Sequence, residues 1–182
     1  MNEPRGLRLT VEIALAALTC AAVVGMSRLF ADGGWLGPLI VNAVAAHAVA
    51  ALARRRGLGL PSTGLLMIAG AILVTTWTSY GDSTAYGIPT SDTFSLMRDD
   101  LSRAWGLYQD VVAPAPVETG FVVASCIALW CIAYLADWAA FRVWVPFEAT
   151  LPAGTLFLFT ALLGEDRGRG WTVGLFAAAV LT

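Results

Sequence analysis

The sequence predicts an all-α fold, a polytopic transmembrane helix bundle, and three observations predict it. Apolar residues make up 58% of the 182-residue chain and charged residues only 13%, whereas a soluble domain holds about 45–50% apolar and about 25% charged residues. The apolar residues fall into separate runs near the roughly twenty residues that cross a hydrocarbon core as a helix. One of these runs ends abruptly on Arg54, Arg55 and Arg56, a pattern that marks the cytoplasmic end of a span. The expected organisation is five complete spans plus the start of a sixth, with one extracytoplasmic amphipathic helix. Lipid is then the chain's main partner. A net charge of −2 leaves no basic field, so no nucleic acid is expected.

The first span covers about 10–30, behind Arg5 and Arg8. A cleaved leader would also show a basic start and an apolar stretch. Ala17-Leu18-Thr19 before Cys20 does not fit a lipoprotein site, however, and the apolar run continues well beyond it, so a retained helix is expected. Ala31-Asp32-Gly33-Gly34 makes a turn, and Trp35 after it has the amphipathic ring that settles at a membrane interface. The second span, about 35–53, places Asn42, Ala46 and Ala50 on one small and polar stripe that lets another backbone approach closely. His47 lies beside that stripe, as an interhelical hydrogen-bonding residue or, less simply, a proton relay. Placing the arginine triplet inside puts the N-terminus inside, the Gly33 turn outside, and the end of the third span, about 60–80, outside. There Trp77 and Tyr80 mark the outer interface.

Residues 81–116 form the one long polar stretch, an extracytoplasmic loop. An amphipathic helix at 91–112 is predicted within it, since Phe94, Met97, Leu101, Trp105, Tyr108 and Val112 recur every three or four residues. Asp92, Ser95, Arg98, Asp99, Ser102, Arg103 and Gln109 take the other face. Such a helix rests on the outer leaflet, caps the bundle, or offers a docking surface to an extracytoplasmic domain. The fourth span, about 117–137, returns inside to an elbow carrying Asp137, Arg142, Pro146 and Glu148. A fifth span follows at about 147–164, with Pro152 inside it predicting a kink. After a charged loop from Glu165 to Gly170, the run at 171–182 rises only about 18 Å against a core of about 30 Å. It is a truncated sixth span, and the chain is expected to be a fragment.

The orientation collects Glu12, His47, Arg54, Arg55, Arg56, Asp137, Arg142 and Glu148 at the inner face, together with Arg8. An ionised group within a span costs about 2.5–3.5 kcal/mol, so Glu12 and Glu148 are expected to pair with arginines or to protonate. Asp137 and Arg142 are expected to pair with one another or with the triplet. A structural polar belt is the simpler account; a proton or ion path would need further charges across the midplane. Cys20, Cys126 and Cys131 sit in apolar runs as buried small hydrophobes, and with one histidine they assemble neither a zinc site nor a catalytic dyad. No catalytic residue, cofactor or metal is expected in this segment.

The elbow carries a resemblance. Asp137-Trp138-Ala139-Ala140-Phe141-Arg142, then Pro146, Glu148 and Leu151-Pro152, resembles the membrane-embedded N-terminal region of actinobacterial transglutaminase-like proteins of the TgpA type. The resemblance implies that the spans precede an extracytoplasmic papain-like domain with a Cys-His-Asp triad, absent from this chain, followed by a further span. It also implies a cell-envelope setting in the plasma membrane and neighbours of two kinds, a MoxR-type ATPase and a von Willebrand-type protein. On that basis the chain is a non-catalytic anchor and regulatory region. The alternatives are a small multispanning transporter or signalling module, for which Asn42, His47 and Thr75 are the midplane candidates, and a structural assembly scaffold.

Overall fold

The computed structural model describes residues 5–181 except 109, 111 and 112, with side chains from residue 8 onward. The described residues form seven α-helices and no strand: α1 (Arg5–Gly25), α2 (Leu36–Arg55), α3 (Leu60–Ser79), α4 (Ser91–Leu107), α5 (Thr119–Trp138), α6 (Leu151–Leu163) and α7 (Arg169–Val180). Four segments are long and apolar enough to cross a membrane: Arg8–Arg28, Leu36–Arg55, Leu60–Ser79 and Thr119–Val143. Their outward faces stay apolar, with Ile13, Leu65 and Ile68 each at least 60% exposed.

The packing follows from residue size. Leu39, Ala43, Ala46, Ala50 and Ala53 form the buried stripe of α2, three or four residues apart, so that one face is nearly all alanine. Such a face lets α5 and α3 come close on either side. Helix α5 is the most enclosed, burying Val123, Cys126, Leu129 and Ala133 completely. Helix α1 packs against α2, α6 and α7, and Phe157 of α6 stacks on Phe176 of α7 with centroids 4.1 Å apart.

Several boundaries differ from expectation for identifiable reasons. The run at 147–164 yields a 3-10 turn at Glu148–Thr150 and then a helix of only thirteen residues, about 20 Å of rise at 1.5 Å per residue. Pro152 stands in the first turn of α6, where the missing N–H breaks no ladder bond. It starts the helix instead of kinking it. Helix α5 does not stop at Asp137 but runs through a π-helical turn, Ala139–Val143, which carries Arg142 back toward Asp137. Helix α4 ends at Leu107, short of 112, and the expected members Gln109 and Val112 lie outside the described residues.

Three side chains also depart from their expected settings. Trp35 is not an interfacial ring: it is 3% exposed, stacks on Phe30 at 5.3 Å and donates to the Asp32 carbonyl at 2.5 Å. Tyr80 is likewise buried and donates to Asp100 Oδ2 at 2.9 Å. Cys131 is exposed on α5, whereas Cys126 is buried.

Candidate functional site

The ionic residues of the sequence converge at one end of the bundle. Arg54, in the last turn of α2, donates to Glu12 of α1 at 2.6 Å and to Asp137 of α5 at 2.9 Å. Its guanidinium also lies 3.8 Å from the Phe141 ring centroid, so one planar cation bridges two carboxylates and covers an aromatic face. Arg55 donates to the other oxygen of Glu12. Arg142 approaches Asp137 Oδ2 at 3.6 Å and donates to the Leu58 carbonyl at 3.0 Å and to Thr63 Oγ1 at 2.8 Å. Four helix ends are thereby joined at one level.

Local sequence makes this arrangement reachable. Gly57 adopts a positive φ of 70° just after α2, its N–H bonded to the Arg54 carbonyl and that of Leu58 to Ala53. This reversal needs glycine, and it leaves the Leu58 carbonyl for Arg142. The π turn does the corresponding work on α5, since its wider coil brings Arg142 and Asp137 within reach.

Not every expected member joins. Arg56 and Glu148 are exposed and form no ion pair among the described residues. His47 meets the ionic cluster only across a small cavity lined also by Glu12, Arg54 and Asp137. Its Nε2 lies 2.9 Å from Thr19 Oγ1. With the Thr19 hydroxyl proton directed to the Leu15 carbonyl, the tautomer consistent with both contacts donates to Thr19 through Nε2.

Two further polar nodes hold the bundle. Asn42, fully buried, accepts from Thr75 Oγ1 at 3.0 Å and Trp130 Nε1 at 2.9 Å, and donates to the Pro38 carbonyl and Thr78 Oγ1. The helix stripe hinted at Asn42, but the tryptophan partner, 88 residues away, left no local signal. Sequence reasoning missed Arg28 altogether. It is 4% exposed and donates to the carbonyls of Glu165 at 2.7 Å and Gly164 at 3.1 Å, capping the C-terminal end of α6. A basic residue at the end of an apolar run followed by a short apolar helix ending in glycine was the available cue.

What this arrangement can do chemically is limited by how fully its groups are engaged. The transporter candidates Asn42, His47 and Thr75 bond one another or their neighbours. Among the described residues no group of three metal-ligating side chains comes together. Compared with known families, residues 17–182 match the model described as the TgpA N-terminal domain. No curated protein and no solved structure matches the chain.

Proposed function

The chain belongs to the TgpA N-terminal domain family, and from that membership we propose that it is the membrane-embedded, non-catalytic anchor of a transglutaminase-like envelope protein. Its spans lie in the plasma membrane with the N-terminus and the Arg54 cluster on the cytoplasmic side. The short α6 and α7 complete a fifth crossing and begin a sixth. The papain-like catalytic domain lies beyond residue 182, outside the membrane, and this region positions and regulates it. A MoxR-type ATPase and a von Willebrand-type protein are the proposed partners.

The observation that carries the reading is the ionic tie through Arg54, which joins α1, α2 and α5 and so gives the bundle a rigid base. Arginine at the ends of spans favours the cytoplasmic side. The engaged state of Asn42, His47 and Thr75 favours an anchor over a transporter. Reading the coding sequence past Thr182 tests the proposal. A soluble domain bearing Cys, His and Asp is the expected result; a stop codon soon after one further span would overturn it.

A further inference from the structure

Between α3 and α5 runs a slot of about 380 Å³, open along one side. Gly64, Ile68 and Ile72 form one wall, Ile127 and Trp130 the other, and Met97 of α4 reaches it at one end. Two features of sequence create it. Trp130 packs so closely on Gly70 that a Cβ there would overlap its ring, and Gly64 and Ala71 leave the α3 wall without bulk. The separation of Gly64 and Thr75 corresponds to about 16 Å along the helix, close to half of a hydrocarbon core of about 30 Å.

The lining offers a guest little polar surface, and its hydroxyl and indole protons are already engaged. Thr75 and Trp130 both donate to Asn42, and Tyr134 donates to the Leu60 carbonyl at 3.3 Å. The last of these bonds ties α5 to α3 and closes the slot at the Arg142 end. At the other end the setting changes. Arg98, the residue after Met97, is exposed and forms no ion pair among the described residues, whereas Arg103 on the same helix is held by Asp100 at 3.0 Å. Beside Arg98 on the helix surface stand exposed Phe94 and Trp105, side chains suited to the interfacial zone. A nearly all-apolar slot about one leaflet long, with an exposed arginine on the helix that reaches its end, has the charge and shape of one particular guest.

We propose that the slot holds one acyl chain of an anionic phospholipid from the leaflet on the α4 side, with its phosphate at Arg98. The proposal rests on the bilayer reading above. Its test is native mass spectrometry of the chain in neutral detergent with equal amounts of phosphatidylglycerol and phosphatidylcholine. One phosphatidylglycerol per chain should be retained, at about fivefold preference, the size of one cation acting at an anionic headgroup. Arg98→Gln should keep one lipid but lose the preference, and Ala71→Phe, which fills the slot, should retain none. Leu162→Phe, on an outward face that is 81% exposed, should behave as the parent.

Equal retention by Ala71→Phe, unsaturable binding without headgroup preference, or a dimer burying the slot would each overturn the proposal. Should Ala71→Phe fail to fold, photoactivatable phosphatidylglycerol on the parent chain decides the matter. Label at Ile68, Ile72 and Ile127 supports the slot, and label confined to the Ile13 and Leu162 faces excludes it. A chain that remained monodisperse without detergent would overturn the bilayer reading itself, a result distinct from any of these.

Discussion

At the scale of single residues, the ionic tie and the Asn42 node compete for importance, and magnitudes rank them. Removing one partner of a buried ion pair costs about 3–5 kcal/mol because a charge is left uncompensated. Interhelical hydrogen bonds in membranes average about 0.6 kcal/mol and reach about 1.7. Asp137 would keep Arg142 and Glu12 would keep Arg55 after Arg54→Met, which places that variant near the lower bound, about 3 kcal/mol. Thermal unfolding in detergent should therefore fall further for Arg54→Met than for Asn42→Ala. Adding Asp137→Asn to Arg54→Met should cost less than the sum of the two single changes, because the two residues share one ion pair; strict additivity of the two changes would refute the coupling. His47 offers a second check. As the only histidine, it should give a single set of imidazole 15N signals with the proton on Nε2, and an Nδ1-protonated ring would contradict the donor role assigned from Thr19.

At the scale of elements, α4 shows where periodicity ends as a guide. Of the predicted apolar stripe, Met97 and Leu101 are part-buried, yet α4 docks mainly beside it. Thr93 and Ala104 are its buried residues, while Phe94, Trp105 and Tyr108 remain exposed and Trp105 stacks on Tyr108 at 6.4 Å. The docking face is decided by close approach to Gly120 at the start of α5, where a Cβ would overlap the Asp100 carbonyl and Ala104. Gly120→Ala should push α4 off the bundle, loosen the Tyr80 to Asp100 bond and speed proteolysis between 81 and 116, with little change to cleavage elsewhere. Unchanged cleavage would show that α4 is held by other contacts. Hydropathy made the four long apolar helices legible, because a twenty-residue run carries its own signal. The start of α6 was not legible, since Pro152 is equally compatible with a kink and with a first turn. Nor was the burial of Trp35, which depends on Phe30 folding back across the turn. For the ionic tie, residue type and depth suggested that Glu12 would meet an arginine and Asp137 would meet Arg142 or the triplet, whereas which arginine each carboxylate meets depends on the π turn and the Gly57 reversal, which are backbone events.

At the scale of the whole molecule, most polar groups among the described residues gather at the two ends of the bundle, with Asn42 tying α2, α3 and α5 and His47 meeting Thr19 between them. One end holds Glu12, Arg54, Asp137 and Arg142; the other holds Arg28 against Gly164 and Glu165, and Tyr80 against Asp100. Such a division suits a slab of hydrocarbon, in which each buried polar group must find a partner or reach water. It leaves the sidedness to the arginines. The Arg54 end carries Arg54, Arg55, Arg56 and Arg142, whereas the loop after α6 mixes Glu165 and Asp166 with Arg167 and Arg169, so the positive-inside bias favours the former as cytoplasmic. The test uses single cysteines on a background in which Cys20, Cys126 and Cys131 are replaced by alanine. A membrane-impermeant maleimide applied to intact cells should label Gly87→Cys and Arg167→Cys, and should label Arg56→Cys only after permeabilisation. Labelling of Arg56→Cys in intact cells, with protection of the other two, would invert the bundle and place α4 with its exposed aromatic face on the cytoplasmic side.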